Sequence, residues 1–255
     1  MYQKRIGVLC LFFLIAQLNW AQLPQPPGRF DWSTQPTPAQ SDWWLNHVDD
    51  FAIPSHHQEP PSGQRISVTR LNHRPPKSAL RVFMHGVKMS DKNLWQSAAS
   101  DFQRAVTLDP RFSEAHGNLG VAFTGLWQLD RAASEFRRAI ELDPSTSVHH
   151  SNLAFILIEQ QQFDPAEPEA RAAVNLDPSN ARAHYLLGFL LARRPEGLSQ
   201  AESHLVIAAR QLPEAHYVLA QVYSAEGEVS IAQAEMNRFQ RAADALSRGM
   251  AFTGK

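Results

Sequence analysis

The 255-residue sequence contains a single cysteine, Cys10, and no excess of charge of either sign. One cysteine cannot form an internal disulfide bond. The 24 basic and 25 acidic residues give a formal net charge of -1, so the chain has no broad positive surface for nucleic acid. Sequence motifs of metalloproteases, serine hydrolases, nucleotide-binding proteins and haem attachment are also missing. The sequence therefore predicts no enzyme, no cofactor and no nucleic-acid partner.

The N-terminal residues have the features of a secretory signal peptide. Lys4 and Arg5 precede an apolar run over residues 6–16, and polar residues then lead to the Ala21–Gln22 junction. This run is too short to cross a bilayer core, which needs about 20 apolar residues. We therefore predict a signal peptide at residues 1–21 and no stable membrane span after its cleavage. The chain is expected to be periplasmic or secreted, most simply in a bacterial envelope.

Residues 22–78 form a proline-rich stretch that holds ten of the 17 prolines. Proline lacks a backbone N–H and disfavours helix in the residue before it, so the pattern predicts a linker or tail, partly ordered at most. An aromatic and aliphatic cluster at 42–53 predicts either a short helix or hook that packs on the following domain, or a partner-binding motif. The histidines and carboxylates from His47 to Glu59 include metal-ligand types, but their spacing matches no established site.

A 34-residue repeat follows this stretch. Its markers are Leu108-Asp109-Pro110, Leu142-Asp143-Pro144 and Leu176-Asp177-Pro178, and the proline of Leu212-Pro213 comes 35 residues after the last of these. Each interval holds two amphipathic segments joined by a polar turn, which indicates a helical hairpin. The predicted repeat domain spans 79–246, divided into units 79–112, 113–146, 147–180, 181–212 and 213–246, with a C-terminal tail at 247–255.

The repeats resemble the tetratricopeptide repeat (TPR) family. The second unit carries the resemblance best, through the spacing of Leu119, Gly120, Phe123, Ala132 and Phe136. Small residues at such positions let paired helices approach closely, and a hairpin buries its apolar face only by stacking on others. The resemblance implies an all-α fold, an α-α solenoid of about five hairpins coiled as a right-handed superhelix. It also implies that the first helices line the concave side.

The concave face is the predicted binding site, because members of this family commonly bind peptides or helices there. Aromatic and aliphatic side chains dominate this groove and suit an apolar segment or an amphipathic helix. The predicted partner-binding residues are Phe83, Val87, Val121, Phe155, Ile158, Tyr185, Phe189, Tyr217 and Gln221. The sequence therefore predicts an exported scaffold or adaptor that binds another protein, although the chain's own tail or terminal helix could fill the same groove.

Two other functions stay open at the level of sequence. One is self-association of the repeat array as a structural protein, and the other is metal-assisted catalysis by the histidine-rich linker. Equivalent first-helix histidines also recur at His116, His150, His184 and His216. Because neighbouring helix axes lie about 8–10 Å apart, these imidazoles are poorly placed to share a metal ion. We interpret them as packing residues, and we predict no metal site.

Overall fold

The computed structural model describes residues 73–252, and its regular secondary structure there is helical. Ten α-helices and one short 3-10 helix occur in this part of the chain. In order they are α1 Lys77–Ser90, α2 Trp95–Leu108, α3 Ser113–Gly125, α4 Leu129–Leu142, α5 Ser147–Glu159, α6 Phe163–Leu176, α7 Ala181–Ala192, the 3-10 helix Pro195–Gly197, α8 Leu198–Ala208, α9 Glu214–Ala225 and α10 Val229–Phe252.

Several predictions concern residues outside the described range. These are the signal peptide at 1–21 with Cys10, the proline-rich tail as far as residue 72 with its aromatic cluster and histidine-rich run, and residues 253–255. At the other end of the array, α10 runs to Phe252, whereas the repeat spacing placed the end of the last unit at residue 246. The last helix therefore extends beyond the length of one repeat.

Consecutive helices pack as five hairpins, α1 with α2 through α9 with α10, and each second helix also contacts the first helix of the next hairpin. First helices contact one another as well, because α3 lies beside α5 and α5 beside α7. This arrangement confirms the predicted all-α solenoid of stacked hairpins. It has two layers, one of first helices and one of second helices.

Glycine makes the close approach of the two helices possible in the first, second and fourth hairpins. A Cβ atom built on Gly120 of α3 would lie 2.7 Å from Cε1 of Phe136 in α4. Gly188 of α7 meets Leu205 of α8 in the same way, at 2.6 Å from Cγ. Both large side chains are fully buried, so they cannot move aside without cost. The recurring small residues of the sequence therefore seat the helices against each other, as predicted.

The turn inside four of the five hairpins contains a residue with positive φ. Asn93, Trp127 and Gln161 recur 34 residues apart with φ of 56°, 59° and 59°. In the third hairpin, the N–H of Gln161 donates to the carbonyl of Ile158, which satisfies a carbonyl at the helix end. The next position in this series is Pro195, whose ring fixes φ at a negative value. The fourth hairpin accordingly uses a 3-10 helix at this turn instead.

The aspartate of the Leu-Asp-Pro motif shapes the turn between hairpins. Asp143 Oδ1 accepts a hydrogen bond from the Ser145 N–H at 3.2 Å and from the Ser145 hydroxyl at 2.8 Å. Asp177 makes the same pair of bonds with Ser179, at 2.9 and 2.6 Å. An aspartate side chain that accepts a hydrogen bond from the residue two positions on mimics the hydrogen bond of a backbone turn. The motif therefore sets the angle at which the next first helix begins.

Candidate functional site

The predicted binding residues lie on first helices, which form one layer of the array. Helix α5 lies between α3 and α7, and α7 also contacts α9, so these helices form one continuous face. Second helices pack behind this layer, since α5 contacts both α4 and α6. We call the side of α3, α5, α7 and α9 that faces away from the second helices the first-helix face.

Burial on α5 and α7 extends around the whole helix. Every residue is buried over His149–Ile158 of α5 and over Ala181–Ala192 of α7. Ten or more consecutive residues cover every direction around an α-helix, which has 3.6 residues per turn. Helix α1 differs, because only Ala79, Phe83, Gly86 and Ser90 are buried on it. In the middle of the array, the residues of the first-helix face are therefore buried, as are the residues that contact the second helices.

A polar contact joins the two central first helices, α5 and α7. The Arg182 side chain on α7 donates from Nη1 to Asn152 Oδ1 on α5 at 2.6 Å, and both residues are buried. The Arg182 guanidinium also lies 5.1 Å from the centre of the Phe155 ring. A buried positive charge is stabilised by nearby π-electrons and by anions. Arg182 thus lies between an aromatic ring and an amide oxygen of the neighbouring first helix.

Two tyrosines and two glutamates of α5, α7 and α9 lie close enough to interact electrostatically. Burial raises the pKa of the Tyr185 hydroxyl well above its ordinary value, and the nearby charges of Glu214 and Glu159 act in the same direction. Tyr185 therefore stays protonated at neutral pH and keeps an O–H donor. Burial also raises the pKa of Tyr217, with a hydrogen bond to Gln221 acting the opposite way. Both tyrosines are neutral donors under ordinary conditions.

The structure brings most of the nine predicted residues together on α3, α5, α7 and α9. Phe155 and Ile158 are fully buried, and Tyr185 and Phe189 are 6% and 7% exposed. Val121 and Gln221 are buried, while Tyr217 is half-buried and its ring lies 5.5 Å from that of Phe239.

The two predicted residues of α1 lie elsewhere. The Phe83 ring packs between Phe102 and Phe112, at 5.5 and 4.9 Å between ring centres, so it belongs to the core between the first two hairpins. Val87 is half-buried on the same helix.

The recurring histidines join the two helices of each hairpin. His116 Nδ1 lies 2.7 Å from Glu135 Oε2, and its Nε2 lies 3.2 Å from the Pro110 carbonyl oxygen. His150 repeats both contacts with Glu169 and Pro144. Because each imidazole meets two acceptors, a protonated ring would donate to both at once. These side chains fix the position of the first helices and hence of the face that they form.

The fourth hairpin departs from this pattern. A histidine, His204, replaces the glutamate, and its Nδ1 lies 2.9 Å from Nδ1 of His184. One ring donates and the other accepts, so the contact is lost when both rings are protonated. Burial lowers the pKa of His204, and the charges of His184 and Arg171 lower it further. This hairpin is therefore the one whose internal contact depends on a neutral imidazole.

Between residues 73 and 252 no group of three or more histidine, cysteine, aspartate or glutamate side chains is arranged to hold a metal ion. Within that range, no helix is long and apolar enough to cross a membrane.

The two-layer array of stacked hairpins defines the chain as an α-helical repeat protein. The sequence profile of the tetratricopeptide repeat family matches residues 90–146 and 152–197. These two segments match the tetratricopeptide repeat family, as the resemblance indicated. Comparison with curated proteins gives no match.

Solved structures of tetratricopeptide proteins share the fold. YrrB, described as a TPR protein with an unusual peptide-binding site, is 20% identical, with 63% of this chain and 84% of that chain covered and a TM-score of 0.54. MamA from Desulfovibrio magneticus RS-1 is 18% identical, with coverage of 68% and 98% and a TM-score of 0.58. The pilF protein of Pseudomonas aeruginosa is 20% identical, with coverage of 65% and 76% and a TM-score of 0.57.

Two polar residues at the centre of the face were not among the predicted binding residues. Asn152 and Arg182 come from neighbouring first helices, and their contact joins positions 30 residues apart. One sequence signal was available, because Asn118 stands 34 residues before Asn152 at the equivalent place of the previous hairpin. The arginine has no such counterpart, since Val148 occupies its place in the third hairpin.

Proposed function

We propose that this protein is an exported, non-catalytic scaffold that binds a polypeptide along the first-helix face. The observation that carries the proposal is the enclosed, aromatic centre of that face, where Phe155, Tyr185 and Phe189 lie on adjacent helices. Aromatic side chains supply a large contact area at small entropic cost. The curved surface of a helical repeat array suits an extended partner better than a small substrate.

The chemistry of the face favours an apolar partner segment with an acidic group. The apolar side chains would contact one stripe of an amphipathic helix or peptide. The Arg182 guanidinium, already oriented by Asn152, would pair with a carboxylate of the partner. YrrB supports a peptide ligand by analogy of fold, since that protein is described as having a peptide-binding site.

Export is the second part of the proposal and rests on the N-terminal sequence. Lys4 and Arg5, the short apolar run and the Ala21–Gln22 junction support a cleaved signal peptide. Cell fractionation and N-terminal sequencing of the mature protein test this part. We expect a periplasmic or secreted chain that begins near Gln22. An uncleaved cytoplasmic chain would contradict it.

Affinity capture tests the binding role. The Tyr185→Ala and Phe189→Ala changes, made together in the full chain, are expected to weaken recovery of co-purifying polypeptides, measured by quantitative mass spectrometry. A matched control carries Val206→Ala and Ile231→Ala, which remove two apolar side chains that are 42% and 41% exposed. Circular dichroism must show unchanged helicity in both variants. Equal recovery by the first variant and the wild type would refute binding at this face.

A further inference from the structure

The first-helix face is buried, although none of the described helices lies over it. Helix α5 has α3 and α7 beside it and α4 and α6 behind it. In a two-layer array the opposite side of α5 faces none of these helices. Every residue from His149 to Ile158 is nevertheless buried, so this side of α5 is covered as well, and Tyr185 on α7 is only 6% exposed. Contiguous apolar surface of this kind is normally covered by a polypeptide.

We propose that residues 42–53 of the same chain dock on this face and cover it in the absence of a partner. This inference rests on the proposed binding role of the face and adds the identity of its resting occupant. The segment reads DWWLNHVDDFAI. Trp44, Leu45, Val48 and Phe51 follow the spacing i, i+1, i+4 and i+7, which places them on one stripe of a helix. Pro54 ends any helix at the preceding residue.

Size and charge of the segment match the face. Twelve helical residues extend about 18 Å, enough to cross two first helices whose axes lie about 8–10 Å apart. The segment has Asp42, Asp49 and Asp50 and no lysine or arginine. A carboxylate from this set would meet the buried positive charge of Arg182, which Asn152 holds in place. The aromatic stripe would contact Phe155 and its neighbours.

The connection is long enough for docking within one chain. Nineteen residues, 54–72, separate the segment from the described part. Fully extended they span at most about 63–68 Å, and as a flexible chain about 22–26 Å on average. A tether of this length holds the segment near the face at a millimolar effective concentration. An intramolecular contact is therefore favoured over the same contact with a second copy at ordinary protein concentrations.

Photo-crosslinking of the purified full chain tests this proposal. Tyr185 is replaced by the photoreactive amino acid p-benzoylphenylalanine, and adducts are mapped by mass spectrometry. We expect an intramolecular adduct between position 185 and residues 42–53, at monomer mass. A control chain carries the same amino acid at Ser134, which is exposed on α4, and should give no such adduct. Adducts to residues 6–16, or at the mass of a dimer, would overturn the proposal.

A second arm changes the segment itself. Trp44→Asp with Phe51→Asp should lower the adduct yield about tenfold, because an ionised carboxylate resists apolar burial. The control Trp32→Asp makes the same kind of change elsewhere in the tail and should keep the wild-type yield. Unchanged yield in the double variant would reject residues 42–53 as the occupant.

The two proposals can fail separately. If the adduct forms, but neither the wild type nor the Trp44→Asp and Phe51→Asp chain captures a partner, self-docking stands and the scaffold function is rejected. If that chain captures more partner, while no adduct with the segment forms, the scaffold stands and self-docking is rejected. Circular dichroism of each variant establishes that the array is folded.

Discussion

The change Gly120→Leu tests how closely the helices of one hairpin are packed. Gly120 lies in α3, where a Cβ atom would stand 2.7 Å from Cε1 of Phe136 and 2.9 Å from its Cδ1 and Cζ. The best separation between carbon atoms is about 3.5–4.0 Å. The first added carbon therefore already forces the ring or the helix to move by about 1 Å, and leucine adds three more carbons.

Two opposing effects set the size of the loss. Glycine in a helix interior is about 0.8–1.0 kcal/mol less favourable than alanine, and leucine is close to alanine, so replacing the glycine favours folding by about this amount. Overpacking a buried site typically costs about 1–3 kcal/mol, occasionally more. Since the Phe136 ring is fully buried and has no free space to enter, we expect overpacking to prevail. Because leucine adds four carbons, we expect an overpacking cost of about 3 kcal/mol and a net loss of about 2 kcal/mol, or about 4–8 °C in Tm.

Urea denaturation followed by circular dichroism measures this loss. The control Ser134→Leu places the same side chain on an exposed position of α4 and should change stability by less than about 0.5 kcal/mol. Combining Gly120→Leu with Phe136→Ala should give a loss smaller than the sum of the single losses, because the smaller residue vacates the space. Wild-type stability of Gly120→Leu, or strict additivity in the double variant, would refute the proposed contact.

Three further predictions concern the histidine pair, the hairpin turns and the cap of α7. His204→Glu should reduce the loss of stability between about pH 7 and 5, measured by thermal melts. The pKa of His204 is lowered in the folded chain, so on acidification the unfolded chain binds a proton before the folded chain does, and acid therefore favours unfolding. A variant whose Tm depends on pH as that of the wild type does would contradict this prediction. Gln161→Gly should stabilise the third hairpin by up to about 1 kcal/mol, and Gly227→Ala should destabilise the fifth, since both positions have positive φ. If urea denaturation showed that Gln161→Gly destabilises the chain and Gly227→Ala stabilises it, this prediction would be refuted. Asn180→Ala should cost about 1 kcal/mol or more, because its side chain caps α7, and an unchanged midpoint would reject the cap.

The pairing and stacking of helices could be predicted from the sequence because the repeat encodes them locally. Gly120 and Phe136 occupy fixed places within one unit, and the structure puts them in contact. The Leu-Asp-Pro triplets likewise mark the turns between hairpins, where Asp143 and Asp177 accept hydrogen bonds from residues two positions on. Local spacing is sufficient for such features.

The candidate site was less predictable, since its contacts join different repeats. Phe83 has the spacing of a face residue, yet its ring packs between Phe102 and Phe112 in the core of the first two hairpins. The contact between Arg182 and Asn152 depends on the separation of two first helices, which no single unit specifies. The turn at Pro195 could be foreseen as altered, but its 3-10 form depends on the neighbouring helix ends.

Photo-crosslinking in the source cells tests the central claim most directly. The photoreactive amino acid p-benzoylphenylalanine replaces Phe189 on the first-helix face in one strain and Arg137, exposed on α4, in another. The account predicts that, after irradiation, adducts with other polypeptides form from position 189 and are absent or much weaker from position 137. Equal adducts from both positions, or adducts from position 137 alone, would contradict binding on the first-helix face.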